Sequence, residues 1–198
     1  MKPPRLLLAL VVASVLICTI SYYQHAKNQK HTIGNGYVSV KTEVERLRSL
    51  RVGDFSPSPE LYDASLSVAI RNLEPSYDHI VFELVIKNPK VIMADVRVTY
   101  ILADDVDRCL VASSLSVTNA LAENPVTLSP TGTPGLGVSR AFVLRPRNQL
   151  VLDDLLESLS PIKASIMWTD SKGNVITDSY LFRLADIVVD DSVRSYFR

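Results

Sequence analysis

The run from Leu6 to Tyr23 constrains this chain most. It is eighteen residues long, carries no charge, and consists mainly of Leu, Val, Ala and Ile. Wound as a helix at ~1.5 Å per residue it measures ~27 Å, close to the ~30 Å hydrocarbon core of a bilayer. The expectation is a membrane-spanning helix in contact with lipid over Leu6–Tyr23, and about 175 residues of folded chain held beside it. Lys2 and Arg5 form a basic tip before the run, and Thr19 and Ser21 offer small residues for a signal-peptidase cut before Tyr22. Against cleavage, the run exceeds the ~7–15 residues of a signal-peptide core, and Tyr22 with Tyr23 suits a membrane–water interface. Residues 1–23 therefore read as a retained signal-anchor. The alternative is a secreted or periplasmic protein left after cleavage. Lipidation at Cys18 is disfavoured because Ile17 is too bulky for the position before a lipidated cysteine. The basic tip favours a cytoplasmic N-terminus and a domain on the extracytoplasmic (periplasmic or cell-surface) side, although Lys27, Lys30 and Lys41 nearly balance the count.

Without Lys2 and Arg5, 19 basic residues face 21 acidic ones. A chain so close to neutral has no electrostatic footprint for nucleic acid. The two cysteines are Cys18, inside the apolar run, and Cys109, so no internal disulfide is expected and the domain must stand on its core. Apolar residues make up 47% of the chain, enough for such a core.

Residues 24–60 read as a tether and a short stalk helix. The tether is polar and contains Gly34-Asn35-Gly36. In Lys41–Arg51, Thr42 and Glu45 form a capping box, and Val44, Leu47 and Leu50 make one apolar stripe. Phe55-Ser56-Pro57-Ser58-Pro59 ends it, because proline cannot continue a helix.

Over residues 61–186 the hydrophobic period drops to two. Leu66, Val68 and Ile70 alternate with Ser65, Ser67 and Ala69, then Ile80, Phe82, Leu84 and Ile86 with Val81, Glu83, Val85 and Lys87, and then Val96, Val98, Tyr100 and Leu102 with Asp95, Arg97, Thr99 and Ile101. Weaker strands are expected over 110–117 and 138–144, and a short helix over 149–158. Ile162, Ala164, Ile166 and Trp168 then lead through Asp170-Ser171-Lys172-Gly173-Asn174 into Val175–Leu181, a hairpin. Trp168 is expected in the core. The fold class is mainly β: the N-terminal transmembrane helix, then an antiparallel β-sandwich of immunoglobulin-like character with one or two short helices.

Phe82-x-Leu84-x-Ile86-x-Asn88-Pro89, Ala94-Asp95-Val96-x-Val98-x-Tyr100 and Trp168-x-Asp170-x-x-Gly173-Asn174-Val175 together resemble the strand–turn–strand pattern of membrane-anchored bacterial immunoglobulin-like modules, over residues 64–184. The resemblance implies an accessory or binding domain at the cell envelope and no activity of its own.

The residues offer little chemistry. His25, His31 and His79 are the only histidines, and none stands at zinc-ligand spacing or beside a nucleophile elbow. Asp104, Asp105 and Asp107, Asp153 and Asp154, and Asp190 and Asp191 are the material for an alternative, an enzyme with an acidic metal site. As an exposed run, Asp104–Asp107 reads first as solvated loop. Asp170–Asn174 is half a calcium loop in composition, but Lys172 would sit beside the ion and no distal Glu follows, so a turn is expected. The chain is therefore read as a non-enzyme with no cofactor. The tail over 187–198 is expected to dock or cap. Val189, Val193, Tyr196 and Phe197 fall near i, i+4, i+7 and i+8, the stripe of an amphipathic helix that could lie in a protein partner's groove.

Overall fold

The computed structural model describes residues 40–198 apart from 75–76, 112–113, 123, 133, 151 and 197–198. The expected anchor Leu6–Tyr23 and Phe197 lie outside the described residues. Residues 40–198 form one compact unit. Its opening helix α1 is already helical at residue 40 and runs to 49. The Thr42–Glu45 pair therefore lies within the helix. A 3-10 turn at Val52–Asp54 and the proline-rich segment lead into β1 (Asp63–Glu74).

Nine strands among the described residues form two layers. After β1 come β2 (Tyr77–Lys87), β3 (Ala94–Ile101), β4 (Leu110–Val111), β5 (Ser116–Thr118), β6 (Leu136–Leu144), β7 (Ile162–Thr169), β8 (Val175–Phe182) and β9 (Ile187–Val189). One sheet has five strands in the order β4-β6-β2-β1-β9, the other four in the order β5-β3-β7-β8. Helix α2 (Leu152–Ser158) joins β6 to β7, and α3 (Asp191–Tyr196) follows β9.

The period-two residues fill the space between the layers. Leu66 and Val68 from β1, Ile80, Phe82, Leu84 and Ile86 from β2, Val96, Val98 and Tyr100 from β3, and Ile162, Ala164, Ile166 and Trp168 from β7 are all buried in one cluster. Trp168 is 2% exposed. Tyr62 stands edge-on to it, with ring centroids 5.5 Å apart, and edge-on to Tyr180 at 6.3 Å. The Tyr62 hydroxyl donates to Asp178 Oδ2 at 2.8 Å and lies 2.9 Å from the Tyr180 hydroxyl. Three polar groups thus satisfy one another at the core's margin, as buried polar groups must. Burial pushes both tyrosines well above their usual range, and the Asp178 carboxylate adds to the rise. Tyr100 crosses the core to donate to the Phe82 carbonyl at 2.9 Å, tying the two sheets together.

Three details depart from the sequence expectations. Residues 110–117 do not form one strand: Leu110–Val111 pairs with β6 in the five-stranded sheet, whereas Ser116–Thr118 pairs with β3 in the other. The sandwich is also not wholly antiparallel. After β8 a 3-10 turn at Leu184–Asp186 takes the chain to the other sheet, where β9 pairs parallel with β1. Third, Val189 lies in that strand and not on a helix; only Asp191–Tyr196 is helical. So short a helix is marginal alone, and the unpaired edge of β1 offers the tail's backbone hydrogen bonds instead.

Candidate interaction surface

Each sheet turns one face to the core and one outward, and the two outward faces differ. That of the four-stranded sheet is polar where Lys163, Ser165, Thr177 and Ser179 project, and α1 lies on it. Leu47 is fully buried beneath the helix. Arg46 grips Glu43 through two hydrogen bonds of 2.9 and 2.7 Å, and its Nη2 also donates to Ser165 Oγ at 3.2 Å and Ser179 Oγ at 3.0 Å. Burial raises the Glu43 carboxyl, but the hydrogen bonds from Arg46 and Ser165 and the Arg46 charge outweigh it and hold the group below its usual range. Lys163 Nζ donates to the Arg48 and Leu50 carbonyls at 3.0 and 2.9 Å, closing the helix C-terminus, where a cation is favoured. Serines on a sheet face are what a charged helix needs beneath it.

The outward face of the five-stranded sheet carries no described helix, yet its side chains are the more apolar. The register sets them in rows. Val111, Val143, His79 and Arg71 cross β4, β6, β2 and β1; beside them run Ala141, Val81 and Ala69; next come Ser139, Glu83, Ser67 and Val188. Val111 and Val188, at the two sheet edges, are each 60% exposed, and Tyr77 at the start of β2 is 56% exposed. His79 is only 7% exposed, and its Nδ1 has no hydrogen-bond partner among the described residues. Glu83 leans over Gly137, where a Cβ would meet its Oε1 at 2.8 Å.

The tail residues singled out from sequence fall in three places. Val189 is half-buried in β9, and Val193 is fully buried in the core. Tyr196 is partly buried, and its hydroxyl donates to Asp78 Oδ2 at 3.0 Å. Asp190 N donates to the Val68 carbonyl and Ile70 N to Ser192 Oγ, so strand and helix are bonded to β1 on both sides of the turn. Val193 thus packs within the molecule, together with the strand that brings it there.

The acidic residues engage locally. Asp170 accepts from the Lys172 and Asn174 amides and from Asn174 Nδ2 at 2.8–2.9 Å, holding the hairpin turn that Gly173 completes at φ 84°. Asp105 pairs with Arg108 at 3.0 Å on the rim of a cleft of about 370 Å³. Gln149, Leu150 and Glu157 line the walls, and Cys109 and Ser158, both buried, form the floor. Ser158 Oγ is bonded to the Leu155 carbonyl at 2.8 Å and is no free nucleophile. Among the described residues no group of three or more His, Cys, Asp or Glu is placed to hold a metal ion, and no helix is long and apolar enough to cross a membrane.

No protein-family model matches the chain, and no curated protein matches it. Among solved structures it is similar to one described as "Biofilm associated protein - BSP domain", with 14% identity and a TM-score of 0.34 over 72% of this chain. The match covers 32% of that structure, so the chain spans about a third of its length.

Proposed function

We propose that this chain is a single-pass membrane protein whose immunoglobulin-like sandwich works outside the cytoplasm as a non-catalytic binding or scaffold module of a membrane or cell-envelope complex. The observation that carries the binding role is the inversion of the outward faces. The polar face lies under α1, while among the described residues no helix covers the face lined by the half-buried Val81 and Val143 and the exposed Val111 and Val188. A sheet face left to water is ordinarily its polar one, and open apolar patches mark protein contacts. The anchoring role rests on the uncharged Leu6–Tyr23 run. It is seconded by the way α1, the first described element after the tether, is clamped to the sheet through Arg46, Leu47 and Lys163. An anchor restricts the module to a layer beside the membrane and so raises its effective concentration at a membrane complex. Partition tests this reading. The chain should stay in membranes through an alkaline carbonate wash and leave only with detergent. Recovery in the wash contradicts the anchor.

A further inference from the structure

Resting on that binding reading, we propose that the occupant of the open face is a second copy of this chain, packed sheet against sheet about a two-fold axis that runs along the row Ala141–Val81–Ala69.

The rows make the face complementary to itself. On one side of the central apolar row lies the acidic Glu83; on the other lie His79 and Arg71, paired across β2 and β1. A two-fold axis along the central row keeps each strand over its own equivalent and reverses the strand direction. The Glu83 row of one copy then faces the His79–Arg71 row of the other, twice. Each Glu83 carboxylate comes to lie over β2 of the other copy, with Arg71 one strand away. The central side chains are Ala and Val, small enough for two sheets to approach to the usual ~10 Å.

The size is sufficient but not generous. Three long strands and two short ones at ~4.8 Å spacing give a face that buries on the order of 1,000 Å² or a little more over both copies. That is near the lower bound for a specific interface, and two chains held in one membrane need no more.

The test uses the full chain in its own membranes. Cys18→Ser removes the other reactive thiol, since Cys109 is buried. In that background Val81→Cys sits on the axis and should be joined to its copy by a short bis-maleimide, giving a dimer band on a denaturing gel. Val175→Cys, exposed on β8 of the opposite sheet, serves as the control and should stay monomeric. Glu83→Arg should cut the Val81→Cys dimer at least tenfold, and adding Arg71→Glu should restore it. A dimer yield for Val81→Cys no greater than for Val175→Cys overturns the proposal. Accessibility to a monofunctional maleimide separates the two readings. If the thiol of Val81→Cys is protected in membranes yet never cross-linked, another protein covers the face: the second copy is overturned while the binding role stands. If it is neither protected nor cross-linked, both fail.

Discussion

Trp168 and Glu43 show how single side chains hold this domain. The Trp168 ring fills the core between β7 and the edge of Tyr62. Trp168→Ala removes its contacts and leaves a cavity that the surrounding sheets cannot close. The expected cost is ~3–5 kcal/mol, read from the shift in a chemical denaturation midpoint; a change below about 1 kcal/mol would mean the ring is not packed as described. Glu43 acts through charge. Its carboxyl is held below the ordinary value of 4.5 by Arg46. A group depressed in the folded state stabilises fully above its unfolded pKa and loses that contribution as pH falls through the folded value. The docking of α1 should therefore weaken on acidification below about pH 4.5, whereas at neutral pH the clamp is fully made. Hydrogen exchange over residues 40–50 should show this as faster exchange in acid after correction for intrinsic rates. In Glu43→Gln the acid-induced step should disappear. An identical acid response in that variant contradicts the role given to the pair.

At the scale of elements, the tail is the clearest test of what β9 and α3 do. Deleting 187–198 strips β9 from the edge of β1, removes the fully buried Val193 and frees Asp78 from Tyr196. The melting temperature should fall by several degrees and expression should drop. A melt unchanged from the parent, with membrane complexes lost, would assign the tail to a partner instead. This segment also shows where reading from sequence stops. The long strands were legible because Ile80, Phe82, Leu84 and Ile86 set out a period of two, and the Asp170–Asn174 turn because Asp, Gly and Asn have backbone roles there. Strands of two or three residues have no period to read. Leu110–Val111 and Ser116–Thr118 could not be assigned to different sheets, and Ile187–Val189 gave no sign of a parallel partner about 120 residues earlier. Spacing alone cannot tell a buried stripe from a docking one: Val193 is fully buried in the core and Val189 lies in β9. Nor was the open face legible. Val81 and Val85 read simply as the outward half of a strand, and their significance depends on which sheet α1 covers. That is fixed by contacts of Arg46 with Ser165 and Ser179, residues more than a hundred positions away.

For the whole molecule, the account joins two claims that rest on different parts of the chain. The sandwich over 40–198 supplies a frame: one outward face is occupied by its own helix, and the other, which no described helix covers, is the one proposed to pair with a second copy. In the proposal, the Leu6–Tyr23 run holds that frame beside a membrane. The measurement that tests their union most directly is the intact mass of the native protein recovered from membranes. The protein recovered from membranes should have a mass that includes the apolar run Leu6–Tyr23. A mature protein that begins at Tyr22 would contradict it.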